Sequence, residues 1–170
     1  EIAKIEEELV NEGLPQQQLQ KLCDVHLAIL KESLEKPLAE VPAGHPVHIL
    51  LKEHELVKGF VAELSLLIPK VERTRTMAGS KSALAKLTEL LKHLKEYDKH
   101  KVREENCLFP YLEKHGVTQP PAIMWSEHDE QRAEIKGACE ALENKGRLKF
   151  AEFKAKLLPT LQNLTELVPD

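Results

Sequence analysis

Aromatic side chains are scarce in this 170-residue chain: four Phe, two Tyr and one Trp, or 4%. That is too few for the core of a sheet-rich fold. Glycine is sparse as well, with seven residues, and Leu, Glu, Lys and Ala dominate, which is a helical composition. Cysteine is nearly missing. Cys23, Cys107 and Cys139 are odd in number and lack C-x-x-C spacing, which excludes a disulfide framework and a zinc knuckle and fits a reducing cytoplasm. No apolar run approaches the roughly 20 residues that a bilayer crossing needs, and no charged-then-apolar leader opens the sequence. The expectation is a soluble protein that is not exported. Neither sign of charge accumulates: 24 basic and 28 acidic side chains, net −4, are spread along the chain, so there is no basic face for nucleic acid. The sequence starts at Glu1 without an initiator Met and closes on "ELVPD", which reads as a piece of a longer chain.

What is present is helical periodicity. Ile2, Ile5 and Leu9 predict a first short helix ending at Gly13, and Pro15 opens a second that carries Leu19, Leu22, Val25, His26 and Ile29 before fading ahead of Pro37. These form an expected helical hairpin over residues 1–38. "KPLAEVPAG" is a linker, and residues 39–170 are the main domain, expected to be truncated at its C-terminal end. Within it, Leu50, Val57, Val61, Leu64 and Ile68 predict a long helix from Pro46 to Ile68, stopped by Pro69. "TRTMAGSKS" reads as a polar loop. A second helix spans 82–114, bent near its end by Pro110, which has no N–H to donate to the carbonyl of Asn106. A third follows "VTQPP" and runs to Gly146, and a fourth starts at Leu148 with a kink at Pro159. Four amphipathic helices with short connections predict an all-α fold, an up-and-down four-helix bundle.

Eight histidines are the feature such a bundle does not need. Successive helical residues differ by ~100°, so His93, His100 and Glu104 share one stripe of the second helix. Glu105 is swung away, toward the surface or an outer shell around that stripe. His54, between Leu50 and Val57, faces the core from the first helix, and His128, four after Met124, does so from the third. Buried imidazoles and a carboxylate without partners would cost ~1 to 3 kcal/mol per group, a cost that a shared metal ion removes. Mixed imidazole and carboxylate donors suit Fe, Zn or Mn. His48 lies on one side of the first helix with Glu55 and is the fallback pair. His115, beside Gly116, sits where a helix dipole favours a cation and reads as structural.

"HKVREENCLFPYLEKHG" followed by "MWSEHDEQR" resembles the hemerythrin-like, or HHE cation-binding, family, in which the second helix carries H-x-x-x-E-E-x-x-L-F-P and the third E-H-D-E. The opening hairpin with "LCDVH" and the "GHPVH" linker resemble a prokaryotic branch in which a PAS sensory domain often follows. The resemblance implies a four-helix bundle around a non-haem di-iron centre. Its ligands here would be His54, His100, Glu104 and His128, with His93 and His48 as further candidates. The family's fourth helix carries its own H-x-x-x-E, whereas no histidine follows His128 in this chain. The function implied is a cytoplasmic module that binds or senses O2, nitric oxide or redox state, leaning toward binding over catalysis because the ligands are mostly histidine. Nitric-oxide detoxification, iron-sulfur cluster repair, or a metal-free helical interaction domain are the competing readings.

Overall fold

The computed structural model of the chain describes residues 41–167 together with Gly13. The hairpin expected over 1–38 lies outside the described residues apart from Gly13. Among the described residues there are helices and no strands. The elements are α1 (Pro46–Arg73), α2 (Met77–Glu96), α3 (Asp98–Arg103), a π-helical turn (Glu104–Leu108), α4 (Phe109–Lys114), α5 (Gln119–Glu143) and α6 (Phe150–Leu167). The chain divides into two compact units, one of Leu50–Val102 with Glu127–Asp170, the other of Glu1–Ile49 with Arg103–Ser126.

The first of these units holds the main core, and four long helices supply it. Val57, Leu64 and Val71 of α1 recur every seven residues. Leu84, Leu87, Leu91 and Leu94 of α2 alternate by three and four, Ile135, Ala138 and Leu142 do the same in α5, and Phe153, Leu157, Leu161 and Leu164 line α6. Each set forms a single stripe, so each helix can bury it only against the other three. The expected all-α bundle is therefore found, with shifted helix ends. α1 does not stop at Pro69 but continues to Arg73. The proline forfeits one bond to the carbonyl of Ser65, and fully buried Val71 beyond it offsets that loss. α2 begins at Met77, inside the stretch expected to be loop, because Thr76 is an N-cap: its hydroxyl accepts from the backbone N–H of Gly79 at 3.2 Å. At the far end of α1, Lys154 donates to the carbonyls of Glu72 and Thr74, both at 2.9 Å, satisfying acceptors a helix terminus leaves open.

The second unit, over its described residues, holds the π turn, α4 and the first turns of α5. α4 ends in a Schellman arrangement: Val117 N–H donates to Leu112 O and Gly116 N–H to Glu113 O, both at 3.0 Å, with Gly116 at φ +78°. Pro120 and Pro121 fall in the first turn of α5, where a missing N–H removes no helical bond. Buried Phe109 meets the ring of Trp125 at 6.4 Å. Cys107 and Cys139 are free thiols, and burial pushes the Cys139 thiol up.

Leu87→Ala should lower unfolding free energy by about 2–5 kcal/mol and Gly116→Ala by about 1–2 kcal/mol, both read by urea denaturation. A Leu87 variant within 0.5 kcal/mol of the parent, to order of magnitude, would contradict the packing described.

Candidate metal centre

Glu53 and His54 lie on α1, one turn ahead of Val57, where the leucine core begins. His100 lies on α3. That short helix exists because α2 ends at Tyr97, whose N–H bonds back to the carbonyl of His93, and the chain resumes at Asp98. Asp98 is held by Arg132 of α5, Nε to Oδ1 at 2.7 Å, and a second guanidinium nitrogen reaches Asp129 at 3.0 Å. The first turn of α3 is thus anchored two residues before His100. The ring of Tyr97 stacks on the His100 ring, centroids 4.6 Å apart and planes within 14°.

His100 is 1% exposed, and α1 meets both of its ring nitrogens. Nδ1 lies 2.8 Å from Oε2 of Glu53, and Nε2 lies 3.0 Å from Nε2 of His54. A carboxylate only accepts, so Nδ1 carries the proton and donates it to Glu53. In neutral His100 this leaves the Nε2 lone pair aimed at His54.

Glu104 follows His100 by one turn and is buried. It opens the π turn, in which Phe109 N–H donates to Glu104 O, five residues back. The register change sits directly before Pro110 and takes one extra residue into the turn. Two consecutive side chains are therefore buried, Glu105 as well as Glu104, which rules out the surface position that α-helical phasing allowed for Glu105 and leaves the outer-shell one. Among the described residues, His54, His100 and Glu104 each offer one donor atom, all within 4.8 Å of one another. Two imidazole nitrogens each about 2.1 Å from one ion lie about 3.0 Å apart at a right angle and about 3.4 Å apart at the tetrahedral angle. The observed 3.0 Å matches adjacent positions around a six-coordinate ion. Two imidazoles and a carboxylate are donors that Fe, Zn and Mn accept, so these residues fit a bound cation.

The structure thus brings together three of the six residues singled out from sequence. His128 faces inward and is buried but is not among these three donors. His93 is exposed and stacks on Phe60, centroids 5.2 Å apart. His48 is half-buried, and Glu55, its expected companion, bonds Lys52 at 2.8 Å. His115 caps α4, and its Nδ1 donates to the Tyr111 carbonyl at 2.7 Å, in keeping with a structural role.

Sequence reasoning passed over Glu53 and Lys101. Each interrupts an apolar stripe, Glu53 three after Leu50 and four before Val57, Lys101 seven after Leu94. Lys101 is 1% exposed. An ionisable residue at a stripe position is the signal that would have found both.

A family model for the hemerythrin HHE cation-binding domain matches residues 45–169, and one for a family of unknown function, DUF438, matches residues 1–36. No curated protein matches the chain.

Removing one donor should weaken cation binding by more than the 10- to 100-fold, to order of magnitude, that an outer partner carries. We expect this of His54→Ala, His100→Ala and Glu104→Ala, measured by competition with a chelator for zinc or iron(II), while His93→Ala stays near the parent value. A large loss in His93→Ala with none in His100→Ala would place the centre elsewhere.

Proposed function

The chain belongs to the hemerythrin HHE cation-binding family, and from that premise we propose that it is a non-haem iron module that binds or senses O2, nitric oxide or redox state. The observation that carries this reading is the close approach of His54 and His100 with the carboxylate of Glu104 beside them. Iron held there would supply a one-electron couple and a coordination position open to a diatomic gas. The protein's own part is to present donors and keep them in place. His54 and His100 turn Nε2 toward each other, Glu104 adds a carboxylate, and the ring of Tyr97 covers one face of His100. Two imidazoles to one carboxylate favour reversible binding over oxygen activation.

Within this proposal the centre is di-iron when the domain carries its full ligand set, and the signal passes to a following PAS-type domain in a cytoplasmic protein. What is established is coarser: a cation-binding helical domain in which no helix among the described residues is long and apolar enough to cross a membrane.

Protein purified after growth with iron should retain that metal by elemental analysis and change its optical spectrum on exposure to O2 or nitric oxide, and both properties should be absent from His100→Ala. Stripping the metal should lower the melting temperature by several degrees, since an ion at 100 times its dissociation constant stabilises the folded state by about 2.7 kcal/mol. Protein without iron and without spectral change would end the proposal.

A further inference from the structure

His100 is gripped from both sides by two consecutive residues of one helix, Glu53 at Nδ1 and His54 at Nε2. We propose that Glu53 is a positioning residue: it holds the proton of His100 on Nδ1, so that His100 always presents a bare Nε2, and it makes His54 the histidine that must rearrange when a cation enters. This rests on the metal-binding reading above and deepens it.

Two nitrogens 3.0 Å apart need either a shared cation or, in its absence, one proton between them. A neutral imidazole carries a single N–H. If Glu53 keeps that of His100 on Nδ1, the proton between the rings belongs to Nε2 of His54. The metal-free pair is then closed by an N–H···N bond that His54 donates and His100 accepts. A cation needs the lone pairs of both Nε2 atoms. His100 already offers one. His54 must move its proton from Nε2 to Nδ1, an internal change of tautomer that alters no net charge. The site is thereby asymmetric: one imidazole is preset by a carboxylate 2.8 Å away, and the other switches.

The placement of Glu53 supports this over a merely adhesive role. Its carboxylate is half-buried, and it faces an imidazole whose side chain is 2% exposed, so water does not compete freely for that bond. Glu63 on the same helix is exposed and supplies a control that removes one negative charge at a distance.

The test uses 15N-labelled protein, metal-free and then loaded with zinc as a diamagnetic probe, with long-range proton–nitrogen correlation spectra of the histidine rings and zinc affinity by chelator competition. In the metal-free parent His100 should show the Nδ1–H tautomer and His54 the Nε2–H tautomer. Zinc should convert His54 alone to Nδ1–H. Glu53→Ala should release His100 into a tautomer mixture and weaken zinc binding by about 10- to 100-fold. Glu53→Gln, whose amide oxygen still accepts the Nδ1 proton, should keep the tautomer and most of the affinity. Glu63→Gln should match the parent.

The proposal is overturned if metal-free His100 carries its proton on Nε2, if it is doubly protonated and donates from both nitrogens, or if Glu53→Ala binds zinc as tightly as the parent. If Glu53→Ala fails to fold, Glu53→Gln decides: an Nδ1–H tautomer kept together with most of the zinc affinity supports the role, and a tautomer mixture that binds zinc as tightly as the parent overturns it. Absence of zinc binding in the parent would remove the metal-binding reading, while the tautomer assignments in the metal-free protein would still judge the role of Glu53.

Discussion

The contact that everything at the centre depends on is between two adjacent side chains of α1 and one imidazole of α3. Residues 53 and 54 leave their helix ~100° apart, so both can meet the same ring only if it lies across the helix between them. Glu53 and His54 do so at 2.8 and 3.0 Å. A ring as deeply buried as His100 would be destabilising without such partners, since an unmatched buried polar group costs about 1–3 kcal/mol. Burial and hydrogen bonding are therefore one requirement: the ring can sit there because α1 answers both nitrogens. The leucine stripes set the spacing. Val57 follows His54 by three residues, Leu94 precedes His100 by six, and both are packed in the core, so the donors are carried on elements that cannot shift without repacking it.

Periodicity made most of the bundle readable in advance. A stripe such as Leu84, Leu87, Leu91 and Leu94 has one use, and a helix is the only element that gathers it on one side. The helix ends were less legible, because they turn on comparisons a sequence does not weigh. Pro69 is a local stop signal, yet burial of Val71 lies beyond it, and tertiary packing outweighs one lost hydrogen bond. Thr76 lies in a polar run that looks like loop, and its hydroxyl starts α2 instead. The histidine-glutamate pair of the second helix was visible as spacing, and the inward phase of His54 and His128 as a position in a stripe. Which histidines would meet was not visible. His93 shares the phase of His100 but precedes Tyr97, where α2 ends and α3 resumes, so it packs on Phe60 at an exposed position.

Acidic residues divide the work in a way that charge counting does not show. Glu53 and Glu104 are both carboxylates in the neighbourhood of His100, but one meets ring nitrogen Nδ1 and the other groups with His54 and His100 as a third possible cation donor. The first sits 2.8 Å from ring Nδ1 of His100, and the second offers a carboxylate oxygen within 4.8 Å of both imidazoles. Exchanging their roles would require His100 to turn its ring over, which the stacked ring of Tyr97 and the anchored first turn of α3 oppose. Orientation here comes from aromatic and ionic contacts outside the donor set, the pattern in which outer partners tune inner ones.

The π turn follows from the same economy of backbone bonds. Pro110 has no N–H, so an α-helix running through it would leave the carbonyl of Asn106 without its usual donor. The chain places its irregularity just ahead of that point: Phe109 N–H reaches back five residues to the carbonyl of Glu104, and the Phe109 side chain is buried. An extra residue in a turn is unfavourable in an ordinary helix, because it loosens backbone packing for no gain in bonds. Here it coincides with two glutamates whose side chains are both buried, something adjacent positions of a regular helix facing one seam achieve poorly. The proline expected to bend the end of the helix thus follows directly on an irregular turn in which two adjacent carboxylates are buried.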